Sequence, residues 1–210
     1  MKKIITLSLI FLSTFLLSSC GKKNTNSAPS PTPTPRAIEM KPEERPIVKL
    51  IPRSDGHELK LSILNIPNYI KQIEYELIYS ATDNDLEIEK GLGDTLTLES
   101  QNIERKLLLG TESCTSGCKY KYDEGITGGT LSLIFITKEN QIIPYETEFS
   151  LQSGSQIKKN GGQMELITQN YQTKIDNLKT TSFYLLLKDY GNSKNPSDTL
   201  PSYSYFASNY

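Results

Sequence analysis

The sequence predicts an all-β fold, an antiparallel β-sandwich. Three observations carry that expectation: segments with an apolar residue at every second position, turn signals spaced roughly 8 to 12 residues apart, and no long stretch of helical periodicity. Strand number and spacing also suit an immunoglobulin-like topology, although the chain has no tryptophan and lacks the widely separated cysteine pair of antibody domains.

The chain opens with Lys2 and Lys3, and the run from Ile4 to Leu17 carries no charge. That run is shorter than the roughly 20 residues that span a bilayer and has the proportions of a signal-peptide core. It closes in Leu17-Ser18-Ser19-Cys20-Gly21: an aliphatic residue, two small residues, then cysteine. This ending resembles the lipobox of bacterial lipoproteins, over about the first tenth of the chain. The resemblance implies a signal peptide over residues 1–19, cleavage between Ser19 and Cys20, and a diacylglyceryl group on the Cys20 sulfur. It therefore implies a protein lipid-anchored to the extracytoplasmic face of a cell membrane, with the bilayer as its partner through acylated Cys20. Two acyl chains hold firmly where one attaches only marginally. Gly21 stands where aspartate would imply inner-membrane retention, so an outer membrane is also permitted where the cell has one.

Residues 20–46 read as the lipidated N-terminus and a disordered linker. From Ser27 to Pro35 proline alternates with small polar residues, which fixes φ, removes amide donors and favours an extended, polyproline II-like spacer. Its reach is about 80 Å fully extended, or about 30 Å as a flexible coil.

Residues 47–152 are expected to form the sandwich core. Glu58 to Ile63 alternates polar and apolar, and Gln72 to Tyr79 places Ile73, Tyr75, Leu77 and Tyr79 on one face. Leu86, Ile88, Leu96 and Leu98 continue the alternation on either side of Gly91-Leu92-Gly93-Asp94, which reads as a turn. Lys106 to Gly110 is a short apolar run. Thr130 to Thr137 is apolar enough for the middle of a sheet, and Glu139-Asn140 turns it into the segment from Gln141 to Leu151. Pro144 suggests an edge position or a bulge there. Residues 153–210 are expected to add strands and a surface tail packed on the same domain. Gly154 to Gly162 reads as a polar breaker. Met164 to Thr168, Tyr171 to Ile175 and Phe183 to Leu187 are strand candidates, and the tail from Gly191 to Tyr210 should lie across the surface.

The sharpest internal motif is Cys114-Thr115-Ser116-Gly117-Cys118. With Cys20 lipidated, the two remaining cysteines form a pair in an exported setting, and a hairpin whose Gly117 takes φ > 0 would set them face to face for a disulfide. A redox pair and a metal-binding dithiol are the alternatives. Zinc needs four ligands, whereas His57 is the only histidine and no second cysteine pair exists. No metal and no other cofactor is therefore expected.

No catalytic set emerges, and the chain is read as non-enzymatic. His57 lies in a turn sequence, Ser54-Asp55-Gly56-His57, and a lone exposed histidine leaves a serine or cysteine hydrolase without its usual base partner. Glu74 and Glu76 lie two apart on a solvent-facing strand side. Asp83-Asn84-Asp85-Leu86-Glu87 resembles a fragment of a calcium loop without its glycine and distal glutamate, so a solvated turn is expected. Asp123-Glu124-Gly125 also reads as a turn. The 12 tyrosines suit half-buried strands, with a carbohydrate-stacking surface as the alternative. Loss of the signal removes two of the 23 basic side chains against 24 acidic ones, moving the net charge from -1 to -3 and arguing against a nucleic-acid partner.

A lipobox, a proline-threonine spacer and a catalytically bare β domain together are similar to many bacterial surface lipoproteins. The stretch from Lys106 to Gly129 has the flavour of those from small-genome candidate phyla. The combination implies binding, adhesion or envelope structure, with an unidentified envelope or extracellular partner. A thiol-redox accessory using Cys114 and Cys118, or a small-ligand carrier, stands as the alternative.

Overall fold

In the computed structural model, the residues described are 36–166, 170–190 and 203–208. The expected signal peptide, Cys20, the proline-threonine run, residues 167–169 and most of the tail lie outside them. Among the described residues no helix is long and apolar enough to cross a membrane.

Alternation from Ile47 to Leu64 produces the first hairpin, β1 (Ile47–Pro52) with β2 (Glu58–Leu64), in a register that sets Leu50 opposite Leu61. β1 completes an alternating pattern that begins upstream of the segments recognised in the sequence: Val48 and Leu50 are buried, Lys49 and Ile51 only partly. β3 (Ile70–Asp83) and β4 (Leu86–Thr97) form the longest hairpin. Next come β5 (Ile103–Leu108), β6 (Gly110–Cys114), β7 (Cys118–Tyr122), β8 (Gly128–Thr137) and β9 (Ile142–Ser153).

The fold is an antiparallel β-sandwich. A three-stranded sheet, β1-β2-β5, faces a six-stranded one whose order ends in β9-β8-β3-β4. Between them lies one apolar core in which Leu59, Leu61, Ile63, Ile73, Leu77, Leu131 and Phe135 are fully buried. Period-two alternation accounts for this: a strand such as β1 or β2 turns its apolar face inward and its more polar face outward.

After β9, α1 (Gly154–Lys159) is a six-residue helix where a polar breaker is expected. Its start is a capping box: the Ser153 hydroxyl accepts from the Gln156 N–H while the Gln156 side chain accepts from the Ser153 N–H. The hairpin β10 (Gln163–Leu166) with β11 (Tyr171–Lys174) follows. β12 (Phe183–Lys188) pairs with β9, and β13 (Tyr203–Ala207) lies on the outer side of β12. Leu185 and Leu187 of β12 point into the main core. Tyr184 and Leu186, on its other face, join Ile157, Met164, Leu166 and Ile175 in a second cluster under α1 and β10–β11. A strand buried on both faces reads as a continuous apolar run, as Phe183 to Leu187 does.

Two expectations about β4 and β9 meet the structure differently. Gly91 to Asp94 is not a turn: β4 runs straight through it, and the chain reverses instead at Asn84 and Asp85, both with positive φ (50° and 63°). Gly93 is required by close approach, since a Cβ there would lie 2.5 Å from the Tyr75 carbonyl oxygen. Pro144 sits in a strand that β12 covers only over Phe149–Ser153, so its outer side is a local edge.

Candidate functional site

Chain entry and the stapled hairpin occupy opposite ends of the sandwich. Ala37 bridges Ile142 at the start of β9, where the Ile38 N–H donates to the Ile142 carbonyl. β9 then runs 12 residues, about 40 Å, to Ser153 beside the loop Arg53–His57. That loop abuts β6–β7, the most solvent-exposed hairpin of the described chain, in which only Gly110 and Tyr122 are partly buried.

The hairpin is set residue against residue: Gly110 faces Tyr122, Glu112 faces Tyr120, and Cys114 faces Cys118. The two cysteines are joined by a disulfide across a Cα–Cα distance of 4.2 Å. Gly117 has φ 136°, a conformation that disfavours side chains, although a Cβ would meet nothing within 4 Å. Alternation puts Glu112, Tyr120 and Tyr122 on the disulfide-bearing face and Lys119 and Lys121 on the other.

On the first face the rings form a row. Tyr120 lies 6.0 Å from Tyr122, centroid to centroid, at 11°, and Tyr122 lies 4.3 Å from His57 at 10°. The Arg53 guanidinium sits 5.5 Å from the centre of the Tyr122 ring. Arg53 in turn forks onto Asp55, with Nε and Nη2 each 2.8 Å from a carboxylate oxygen, and reaches Glu58 at 3.5 Å. This pairing drives the Arg53 pKa up and, through the same bond, holds the Asp55 carboxyl below its usual range. The Asp55 carboxylate also accepts the His57 N–H, and the His57 carbonyl accepts the Leu109 N–H, which ties the loop to the hairpin's base. At the outer end, Tyr120 is half exposed, and the Glu112 carboxylate beside its hydroxyl pushes its pKa up.

His57 also lines an open cleft of about 580 Å³, together with Asp55, Glu124, Gln156 and Lys159 among others. Its lining includes Asp123, a side chain that the sequence reads as part of a turn. Asp123 is buried, accepts a hydrogen bond from the Tyr79 hydroxyl at 2.8 Å and pairs with Lys90 of β4. Burial raises the Tyr79 pKa first, and the neighbouring Asp123 carboxylate raises it further. The turn expected here is replaced by an extended connection: Glu124 bridges Thr82 antiparallel, and Gly125 beside it takes φ 69°.

No protein-family model matches this sequence. No curated protein and no solved structure matches it significantly either.

Of the residues singled out in the sequence, the structure joins Cys114 to Cys118 and brings His57 to Tyr122; Cys20 lies outside the described residues. His57 is thus a stacked ring rather than an isolated loop side chain. Glu74 and Glu76 lie on the outward face of β3, where Gln72 donates to Glu74. Asp83 to Glu87 is a hairpin tip, with Leu86 68% exposed. Among the described residues, the single grouping of three metal-type ligands is Glu112, Cys114 and Cys118, whose ligand atoms lie within 4.8 Å of one another. The disulfide occupies both sulfurs, so the group offers no thiolate in this state. Sequence reasoning misses Arg53 and Tyr122, and reads Asp123 only as part of a turn. Arg53 and Tyr122 meet only through the fold, whereas the i, i+2 spacing of Tyr120 and Tyr122 is a readable sign of a shared strand face.

Many of the remaining tyrosines pack in or along the sheets: Tyr79, Tyr145 and Tyr184 are buried, and Tyr171 stacks on Tyr203 at 3.9 Å.

Proposed function

We propose that this protein is a lipoprotein held by acylated Cys20 on the extracytoplasmic face of a cell membrane, and that its β-sandwich works by binding rather than catalysis. One observation carries the reading. The row Tyr120–Tyr122–His57, backed by Arg53 and stiffened by the Cys114–Cys118 disulfide, stands at the end of the sandwich opposite the point where the chain enters. Rigid aromatic side chains give large contact areas at small entropic cost, which suits recognition of an envelope or extracellular partner.

Two measurements test this. Metabolic labelling with an alkyne-bearing palmitate should mark the wild-type chain and not Cys20→Ser; equal labelling of both would overturn the anchor. A photo-crosslinking residue in place of Tyr120, in the full chain on intact cells, should capture a discrete adduct. Placed at Leu86, on the β3–β4 tip, the same residue should not capture that adduct. Identical adducts at both sites, or none at Tyr120, would remove the hairpin as the binding surface.

A second reading, a thiol-redox accessory, is favoured by the exposure of both Cys114 and Cys118. It requires glutathione to open the disulfide at millimolar concentration in the folded protein, which maleimide labelling would register.

A further inference from the structure

β4 is an edge strand of 12 residues, and among the described residues β3 is its only strand partner. The two-residue turn at Asn84–Asp85 makes Asp83 and Leu86 a hydrogen-bonded pair, so the even-numbered residues of β4 bond back to β3. The backbone groups of Glu87, Glu89, Gly91, Gly93, Thr95 and Thr97 therefore face the free edge. One of them is already engaged: the Thr95 N–H donates to the adjacent Asp94 carboxylate at 2.7 Å, as expected of an amide with no strand beside it.

An open edge of this length is a template for another strand, and natural sheets usually blunt it with charge. Here the charges do something more selective. Folded back antiparallel on a second copy about Leu92, β4 and the adjoining Leu98 place Lys90 opposite Asp94, Ile88 opposite Leu96, Leu86 opposite Leu98, and Leu92 opposite itself. On the other face Gly91 meets Gly93, Glu89 meets Thr95, and Glu87 meets Thr97. No like charges oppose each other in this register. Sliding it by two residues sets Lys90 and Asp94 against leucine or isoleucine; sliding it by four sets Lys90 on Lys90 or Asp94 on Asp94. The odd-numbered residues are also the ones whose amides and carbonyls point across the edge, and the Thr95 N–H would exchange the Asp94 carboxylate for the second copy's Glu89 carbonyl.

The geometry points to a two-fold symmetric dimer in which the β4 edges of two copies pair antiparallel about Leu92 and join their six-stranded sheets into one. A two-fold operator needs a self-complementary patch, and the pattern apolar-apolar-cation-apolar-anion-apolar-apolar from Leu86 to Leu98 is one. The Lys90 side chain is 32% exposed and its ammonium has three donors, so it can hold Asp123 of its own chain and meet the second copy's Asp94. Pairing would also cover Leu86, the most exposed of the large apolar side chains among the described residues. This dimer is independent of the binding role proposed above.

Cysteine cross-linking of the full chain in detergent micelles tests it. Even-numbered residues form the closely spaced, non-hydrogen-bonded pairs across the new interface, where disulfides reach most readily. With copper-phenanthroline, Leu92→Cys should give a reducible dimer several-fold above the wild-type background set by the native cysteines. Leu86→Cys and Leu98→Cys should each give background alone and a dimer when mixed. Gly91→Pro removes an edge-facing amide and leaves the β3 bonds intact, with a Cβ meeting nothing closer than 3.8 Å. Added to Leu92→Cys, it should return the dimer to background while the thermal melt by circular dichroism stays within a few degrees of the parent. A dimer that persists with Gly91→Pro, a cross-linking maximum away from Leu92, or no excess over wild type would overturn the proposal.

Discussion

Asp123 is the side chain on which most local chemistry converges. It is buried where the β7–β8 connection meets β3 and β4, and its carboxylate has two partners on those strands. Removing the carboxylate leaves the buried Tyr79 hydroxyl and the Lys90 ammonium without it, so Asp123→Ala should cost about 2 kcal/mol. Tyr79→Phe removes one neutral donor and leaves the ion pair, so about 1 kcal/mol is expected. Urea unfolding of both variants checks the order; a larger loss for Tyr79→Phe would place the energy elsewhere. The tyrosines also set the alkaline limit. Burial and the hydrogen bond to Glu44 push Tyr69 up to about 12, and burial raises Tyr79 and Tyr145 as well. A group raised in the folded state contributes stability that is complete below its unfolded value, near 10 for tyrosine, and is lost as pH rises through the folded value. Stability should therefore hold to about pH 10 and fall through about pH 12. Unfolding followed by phenolate absorbance checks this, and a steady decline already at pH 8 would contradict it.

At the scale of the element, the disulfide is a local staple. The closed loop is so short that the chain-entropy model assigns it about 2 kcal/mol. The double variant Cys114→Ser with Cys118→Ser should lower the melting temperature while leaving the far-ultraviolet spectrum of the sandwich intact. Loss of the whole β signature would mean that the hairpin is needed to fold. What the sequence shows of these elements follows from physical rules of unequal strength. β8 is legible because an apolar run that long, bounded by glycines and by Asn140 at φ 62°, fits little else. β4 is easily misread because Gly91 and Gly93 usually punctuate chains. Gly93 is there because the Tyr75 carbonyl comes too close for a Cβ, a fact of packing with no local signature. α1 is too short for periodicity, although Ser153 and Gln156 carry its capping signal in plain view. In the candidate site, Cys114 and Cys118 announce their pairing through spacing. The stack of His57 on Tyr122 spans 65 positions of chain and needs the fold.

For the molecule as a whole, β12 makes one cooperative unit of two apolar clusters. Leu185 belongs to the main core and Leu186 to the smaller cluster under α1, yet they are adjacent in one strand. Leu185→Ala and Leu186→Ala should each cost about 2–5 kcal/mol and shift the same single thermal transition. Two separable transitions by calorimetry would show that the clusters melt independently. The position of β12 bears equally on the order in which the protein can be made. It pairs directly with β9, so a ribosome must have synthesised Phe183 to Lys188 before that side of β9 can be sealed. Until then Phe149 and Leu151 border an unpaired edge, the situation in which nascent β chains associate wrongly. A segment synthesised after β9 thus commits the earlier strands, and a chain that stops before Phe183 should yield aggregates rather than a smaller, working sandwich.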